Sequence, residues 1–269
     1  MESQRELLNG LNALRDDIDR LTRAAVSASE ALDLLGARLD RLCEYIVCEE
    51  NAKLWNRWGD REGIGNAAER LRESAAKALC FVEKSRSLRT YTSGMDINPY
   101  VSLLSASVKE ECGYTHINRD SKVLFVGAGA FPLSALTIAL ETSALLFCLD
   151  IDEEAVYHGR NLIRYFGLEG NVTYLDNGMN DDELIGQMTH VFIASLVPSK
   201  LDVLNNLAAI VPSECKVIVR YGNGLKSLFN YPFDTNLLKD WRTTPYCRDK
   251  CIYDTVILEP IKIPARNVL

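Results

Sequence analysis

The first fifty residues alternate apolar and charged positions in a regular way. Apolar side chains recur at steps of three and four residues, the spacing of an amphipathic helix. They are Leu7, Leu11, Leu14, Ile18, Leu21, Ala25, Ala28, Leu32, Leu35, Leu39, Leu42 and Ile46. Ser27 and Glu30 match a capping box, so the pattern predicts two helices that meet near residue 27. A packed helical hairpin is the simplest interpretation, although the same apolar faces could serve a homodimer.

Two further helices are predicted before residue 115. A turn-rich linker runs from Gly59 to Gly65, and a helix with one apolar face follows from about Asn66 to Arg89. A fourth helix is expected from Pro99 to about Cys112, with Asn98 as its N-cap. We therefore expect residues 1–115 to form an all-helical N-terminal domain.

From about residue 119 onward, short apolar runs alternate with helical segments. The predicted strands are 122–126, 144–149, 171–175, 190–196, 215–221, 243–246 and 253–258. This alternation indicates a mostly parallel, doubly wound sheet, and an antiparallel final strand would make it the methyltransferase variant. The expected fold is α/β, in which residues 116–269 form a Rossmann-like, methyltransferase-type doubly wound sheet after the helical domain.

The first predicted strand ends in a glycine turn. Residues 127–132 read GAGAFP, and the next apolar run ends at Asp150 and Asp152, which follow Gly127 by 23 and 25 residues. In Rossmann-like βαβ units this spacing places an acid on a ribose diol. The third glycine of the dinucleotide fingerprint, which packs around a pyrophosphate, is absent. S-adenosylmethionine has no phosphate, so the turn favours it over NAD. An ordinary βα turn that binds nothing is the alternative.

In such a sheet the ligand lies across the carboxyl ends of the strands. Asp176 follows a strand and is expected to hold the adenine amino group, with Asn177 beside it. Arg220, Tyr221 and Asn223 follow another strand and are candidates for a second ligand. The full set of cofactor candidates is Gly127, Ala128, Gly129, Phe131, Asp150, Ile151, Asp176, Asn177, Ala194 and Leu196.

Composition limits the classes of partner. A net charge of −7 and a pI near 5.2 argue against a nucleic-acid surface or an anionic-membrane surface, and favour small ligands. The eight cysteines include no CxxC pair and the chain has three histidines, which argues against a metal site. The sequence shows no signal-peptide pattern and no apolar run of membrane-spanning length. We expect a cytoplasmic protein with reduced thiols.

Several segments of the chain recur together in one known family. They are NPY at 98–100, VGAGAFPL at 126–133, DID at 150–152, ASLV at 194–197 followed by Lys200, VRYGNGL at 219–225, YP at 231–232 and DTVI at 254–257. In this set and order the chain resembles the nicotianamine synthase family over about residues 90–260. Within that family it resembles the bacterial branch that makes opine-type metallophores.

The resemblance implies a transferase that uses S-adenosylmethionine as a group donor. An amine attacks the γ-carbon of the methionyl moiety, the 3-amino-3-carboxypropyl (aminobutanoyl) group moves to it, and methylthioadenosine leaves. In the opine-metallophore branch the acceptor is the amino group of histidine. Three alternatives stay open: the repeated transfer of nicotianamine synthesis, methyl transfer, and a non-catalytic cofactor-binding scaffold.

An amino-acid acceptor needs a clamp for its carboxylate. Arg220 is the first candidate for it, and a buried structural ion pair is the alternative reading of that residue. Tyr221 and Asn223 are expected to line the same pocket, and Asn98 and Ser107 are further candidates for contact with the acceptor.

The acceptor's ammonium must also lose a proton, which calls for a general base. The resemblance implies a glutamate on the helix after Asn-x-Tyr, and an ungapped count places Ser107 there. Glu110 and Glu111 lie three and four residues further along, and Tyr100 or a water is the other candidate. A solvated helix end is the alternative interpretation of the two glutamates.

Overall fold

The N-terminal part of the protein is helical. A computed structural model describes residues 2–94, 99–176, 178–246 and 251–261, and for residues 2–3 and 99–105 it describes the backbone alone. The helices are α1 (Glu2–Ala25), α2 (Ser29–Ile46), α3 (Glu49–Trp58), α4 (Glu62–Ser93) and α5 (Pro99–Thr115). The predicted junction near residue 27 is confirmed, since α1 and α2 meet there.

The predicted capping box at this junction is wrong. The N-cap position of α2 is Ala28, which makes no side-chain capping hydrogen bond. Ser27 lies one residue earlier, and its Oγ donates to the carbonyl of Ala24 at 3.4 Å. The serine hydroxyl therefore bonds to the last turn of α1 and not to the first turn of α2, because the turn directs it back along the chain.

The segment before α4 is more helical than its composition suggests. Helix α3 covers Trp55 and Trp58, which directly precede the predicted linker, and Trp55 is buried in the helical core. Helix α4 begins at Glu62, inside the predicted linker, so Gly63 and Gly65 lie in its first turns. An acid in the first turn favours a helix start there, and burial of the α4 apolar face outweighs the low helix propensity of glycine.

The rest of the chain forms a seven-stranded sheet among the described residues. The strands are β1 (Lys122–Val126), β2 (Leu145–Leu149), β3 (Val172–Tyr174), β4 (His190–Ile193), β5 (Lys216–Tyr221), β6 (Trp241–Tyr246) and β7 (Asp254–Pro260). The helices between them are α6 (Leu133–Thr142), α7 (Glu153–Tyr165), α8 (Asp182–Ile185) and α9 (Lys200–Ile210), with 3-10 helices at Gly224–Leu228 and Thr235–Leu237.

The strand order is β3-β2-β1-β4-β5-β7-β6. Strands β1 to β5 pair in parallel, whereas β7 pairs antiparallel to both β5 and β6. The order reverses between β1 and β4, which is where an open α/β sheet forms a crevice at its carboxyl edge. This is the methyltransferase-type sheet after a helical region that the sequence predicts, and the fold prediction is confirmed.

The central strands are apolar throughout because helices cover both faces of the sheet. Every residue of β4 is buried, as are four of the five residues of β1. One face packs against α5, α6 and α7 around Phe125 and Phe192, and the other packs against α9 around Leu204 and Leu207. Parallel strands buried on both faces appear in a sequence as unbroken apolar runs.

The helical part and the sheet part share a hydrophobic cluster. It joins the buried faces of α1, α2 and α4 to Leu228, Phe229, Ile252 and Tyr253. The apolar stripe of α1 is thus buried inside this chain, while the homodimer and the domain division at residue 115 stay predictions. Along the described part of the chain, no helix combines the length and the apolar character that a membrane span requires.

A buried ion pair fixes α5 to the sheet. Arg220 of β5 and Glu111 of α5 are 3% and 1% exposed, and Arg220 Nη2 donates to Glu111 Oε2 at 2.5 Å. Arg220 Nη1 donates to Ser134 Oγ at 2.9 Å, and the hydroxyl of Thr255 donates to Glu111 Oε1 at 3.2 Å. The guanidinium also lies 5.1 Å from the ring centroid of Tyr253. These contacts join α5, α6, β5 and β7.

Replacing Glu111 by alanine should therefore destabilise the fold by about 3–5 kcal/mol, because Arg220 would be left as an uncompensated buried charge. Urea unfolding followed by circular dichroism measures the change. Glu110→Ala, on the exposed side of the same helix, is the matched control and should cost less than about 1 kcal/mol. Equal losses from the two variants would contradict a specific role for the buried pair.

Candidate functional site

A cavity of about 620 Å³ opens at the carboxyl edge of the sheet. Its floor comes from the residues that follow β1, β2 and β4, and helix α4 forms one wall. The segments in its lining are 125–129, 131–135, 149–152, 178–179, 194–199, 229–230 and 252–253, and Leu79, Cys80, Glu83, Val203 and Arg220 complete it. A ligand in this cavity would thus lie across the strand ends, in the crevice where such sheets bind ligands.

The glycine turn after β1 is held by the acid after β2. Gly127 and Gly129 have φ angles of 79° and 72°, a region that strongly favours glycine. The N–H of Gly129 donates to Asp150 Oδ2 at 2.7 Å, and the N–H of Asp152 donates to Asp150 Oδ1 at 3.0 Å. The carbonyl of Gly129 accepts a hydrogen bond from the hydroxyl of Tyr174 at 2.5 Å. The turn is thus preformed.

Helix α4 is tied to the same loops by polar contacts. Ser87 Oγ donates to the carbonyl of Ala130 at 2.6 Å, in a buried position. Lys84 Nζ lies 2.7 Å from Asp152 Oδ2 and 2.6 Å from Glu154 Oε2, at the start of α7. The helical part of the chain is therefore fixed to the glycine turn and to the N-terminus of α7.

Glu83 lies on the cavity side of α4 and is absent from the site residues that the sequence predicts. A Cβ built on Gly129 would lie 2.6 Å from Glu83 Oε2, so the carboxylate occupies the space that the glycine leaves. Burial, reinforced by the charge of Asp150, raises the pKa of Glu83 to about 8, although Arg86 opposes the shift. A carboxyl group that titrates near neutral pH in a cavity can act as a general base or acid.

A signal for Glu83 was present in the sequence. Leu71, Ala75, Leu79 and Glu83 follow one another at steps of four residues, and the first three are buried. Residues at this spacing share one face of a helix. An acid on the buried face needs a special reason, and this makes Glu83 a candidate site residue by pattern alone.

Lys200 holds the turn after β4 through hydrogen bonds to its backbone carbonyls. This side chain is 2% exposed, and its Nζ donates to the carbonyls of Ser195 at 3.0 Å and Val197 at 2.6 Å. Burial, with a smaller effect from the charge of Arg72, lowers the pKa of Lys200 to about 7. In the sequence Lys200 stands out only as part of a motif, whereas in the structure its side chain fixes one rim of the cavity.

Most of the predicted cofactor residues line the cavity. They are Gly127, Ala128, Gly129, Phe131, Asp150, Ile151, Ala194 and Leu196. Asp176 does not line it: its exposed carboxylate pairs with Arg160 at 2.5 Å. Asn177 lies outside the described residues. Gly178 and Met179, just beyond them, do reach the cavity.

The predicted acceptor residues are more dispersed. Arg220 borders the cavity while its guanidinium contacts Glu111 and Ser134. Asn223 is engaged with the backbone of Phe233 through both its amide nitrogen and its amide oxygen, each at 3.0 Å. These contacts hold the loop after β5 and direct the amide of Asn223 toward that loop.

The remaining predicted residues lie away from the cavity lining or beyond what the structure describes. Tyr221 packs edge-on against Phe233, and Ser107 Oγ lies 4.0 Å from Cys251 Sγ. Glu110 is exposed and Glu111 is buried beneath Arg220, so the structure brings neither to the cavity. Asn98 and the side chain of Tyr100 lie outside the described part of the chain.

Within the described ranges, no group of three or more histidine, cysteine or acidic side chains is arranged to hold a metal ion. The polar residues of the lining instead include the acids Glu83, Asp150 and Asp152, the serines Ser134, Ser195 and Ser199, and Arg220 and Asn230. Such groups recognise an organic ligand with hydroxyl and amino substituents.

Gly129→Ala tests the contact between the glycine turn and Glu83. Gly167→Ala is the matched control, because Gly167 has a similar φ of 67° but no atom within 4 Å of an added Cβ. The control should cost about 1–2 kcal/mol of unfolding free energy from backbone strain alone. Gly129→Ala should cost more, since the Glu83 carboxylate must move. The excess should disappear in a Glu83→Ala background, and an excess that persists there would contradict the contact.

Comparisons with known proteins place the chain in a family. The model described as nicotianamine synthase protein matches residues 6–262. An L-histidine 2-aminobutanoyltransferase of Pseudomonas aeruginosa is 35% identical over 259 residues, covering 96% of this chain and 98% of the relative. A protein of the same name from Yersinia pestis is 30% identical over 257 residues, covering 95% and 96%.

Solved structures agree with the fold. The structure of MtNAS in complex with MTA and tNA has a TM-score of 0.73 at 17% identity, covering 92% of this chain and 97% of that chain. A glutamate-to-glutamine variant of MtNAS in complex with S-adenosylmethionine has a TM-score of 0.71 at 16% identity, covering 92% and 98%. The full-length match to the family model and the relatives at 30% and 35% identity lead to one conclusion: the chain belongs to the nicotianamine synthase family.

Proposed function

We propose that this protein transfers the aminobutanoyl group of S-adenosylmethionine to the amino group of histidine and releases methylthioadenosine, in the biosynthesis of an opine-type metallophore. The observation that carries the proposal is the full-length similarity to relatives named L-histidine 2-aminobutanoyltransferase. The cavity supports it independently, because its groups suit both a nucleoside-type donor and the removal of a proton.

The donor would lie along the glycine turn. The two glycines let the backbone approach the ligand, and Asp150, at the end of β2, is placed to accept hydrogen bonds from ribose hydroxyls. Both oxygens of Asp150 already accept backbone N–H groups, so the carboxylate is oriented before the ligand arrives. Ile151 follows it at the rim and offers an apolar contact for the adenine.

The reaction is a displacement at carbon. The amine nitrogen donates its lone pair to the γ-carbon of the methionyl moiety, a C–N bond forms, and the C–S bond breaks with its electron pair going to sulfur. The sulfonium thereby becomes the neutral thioether of methylthioadenosine. The protein's task is to hold the nitrogen about 3 Å behind the γ-carbon and in line with the C–S bond.

Glu83 is our candidate for the general base. The acceptor enters as an ammonium and must lose a proton to expose its lone pair. Glu83 lines the cavity beside the glycine turn, and its pKa, raised to about 8 in the free protein, brings its carboxyl group into the range where protons exchange near neutral pH. It replaces Glu110 and Glu111 in this proposal because neither of those side chains lines the cavity.

Arg220 stays our candidate for the acceptor's carboxylate, on the strength of its place in the cavity wall. Its contacts with Glu111 and Ser134 favour the structural alternative that the sequence left open. The two roles are compatible, since a guanidinium has five N–H donors. We also propose that the reaction takes place in the cytoplasm, in keeping with the free thiols of the described cysteines.

The direct test is an incubation of the purified protein with S-adenosylmethionine and L- or D-histidine, followed by mass spectrometry. We expect methylthioadenosine and a histidine adduct that is heavier by a single aminobutanoyl unit. S-adenosylhomocysteine as the product would mean methyl transfer and would overturn the proposal. An adduct with two units would instead favour repeated transfer of the nicotianamine type.

Glu83→Gln keeps the shape of the side chain and removes its basicity. Turnover should fall on the order of 10²- to 10⁴-fold, the usual contribution of general acid–base catalysis, while donor binding persists. Steady-state kinetics with calorimetric measurement of donor affinity separates the two effects. Glu69→Gln, the same change on the exposed face of α4, is the control and should leave turnover unchanged. Full activity of Glu83→Gln would exclude Glu83 as the base.

A further inference from the structure

We infer that donor binding itself activates the base: the fixed positive charge of the sulfonium enters the cavity that Glu83 and Asp150 share and drives the carboxyl proton of Glu83 into solvent. The inference rests on the proposed function for the identity of the donor and of the base. It implies an order of events. Glu83 accepts a proton from the acceptor's ammonium only after the donor is in place.

The geometry behind this inference is a pair of carboxylates at one glycine. Glu83 Oε2 lies over the Cα of Gly129, 2.6 Å from the position of an added Cβ. Asp150 Oδ2 accepts the N–H of the same residue at 2.7 Å. The two acids therefore flank Gly129 from different elements, α4 and the loop after β2, and both border the cavity.

The nearby cations are largely committed to other acids. Lys84 pairs with Asp152 and Glu154, and Arg220 at the far wall pairs with Glu111. Arg86, on α4, is the cation that favours the ionised form of Glu83. The sulfonium would thus enter a region of negative charge.

The neutral neighbours do not offset this charge. Cys80 lines the same wall one turn before Glu83, and burial raises the pKa of its thiol to about 11. Tyr174, on β3, has a pKa raised well above its usual value by burial. Both groups are uncharged at neutral pH, so the local balance is set by the acids and by Arg86.

The direction of the proton shift follows from Coulomb's law. A positive charge near a carboxyl group favours its ionised form, and the effect is strong where water is largely excluded. Burial and the charge of Asp150 raise the pKa of Glu83 to about 8 in the free protein, which favours the protonated form at pH 7. Donor binding converts Glu83–COOH to Glu83–COO⁻ and releases one H⁺, with no covalent change in the donor.

The test compares two ligands that differ in this charge. S-adenosylmethionine and S-adenosylhomocysteine share the adenosine and the amino-acid tail, but only the former has a sulfonium. Calorimetric titration at pH 7 in buffers of different ionisation enthalpy counts the protons released. We expect S-adenosylmethionine to release close to one proton more than S-adenosylhomocysteine, and equal release for the two ligands would overturn the inference.

Two variants assign the proton to its residue. Glu83→Gln should abolish the difference between the ligands, whereas Glu69→Gln, on the exposed face of the same helix, should retain it. A difference that persists in Glu83→Gln would assign the proton to another group and contradict our inference.

A measurement on the unmodified protein guards against a variant that fails to fold. The ratio of affinities, S-adenosylmethionine over S-adenosylhomocysteine, should rise about tenfold from pH 6 to pH 7, because proton release is linked to binding below the pKa of Glu83. A ratio independent of pH would contradict the inference.

Transfer to histidine is assayed on the same preparation. Transfer without differential proton release refutes this inference alone, whereas absence of transfer refutes the proposed function.

Discussion

The packing of helix α4 across the glycine turn is the constraint on which the rest of the site depends. Ser87 holds the carbonyl of Ala130, Lys84 holds the start of α7, and Glu83 fills the space above Gly129. Each contact joins the helical part of the chain to the carboxyl edge of the sheet. The cavity therefore exists only when both parts are assembled, and its ionisable groups come from both of them.

A second constraint acts behind the cavity. Arg220 and Glu111 bury opposite charges between α5 and the sheet, with Ser134 and Thr255 completing their hydrogen bonds. A buried pair of this kind fixes geometry more than it adds stability, because desolvation offsets most of the attraction. It sets the position of α5 and of one cavity wall. The acid that we first considered as a base is thus part of the support for that wall.

The elements that were predicted well are those whose burial is local in sequence. Strands β1 and β4 lie between helices on both faces, so their apolar runs are unambiguous. The glycine turn and Asp150 were also reached from spacing alone, because the βαβ unit brings nearby residues together. Helix α3 was missed, since its buried contact is Trp55 in a core formed with distant helices and with the loop after β5.

The sequence by itself determined the fold class and the glycine turn with its partner acid, Asp150, because these follow from periodicity and from one continuous βαβ unit. Tertiary structure decided which acid of the helical part lines the cavity. Glu83 precedes Gly129 by 46 residues, and the contact between them depends on how α4 crosses the sheet. Glu110 and Glu111 are adjacent in sequence, but helix rotation leaves the first in solvent and buries the second against Arg220. The role of a charged side chain is set by what surrounds it, and those neighbours come from distant parts of the chain.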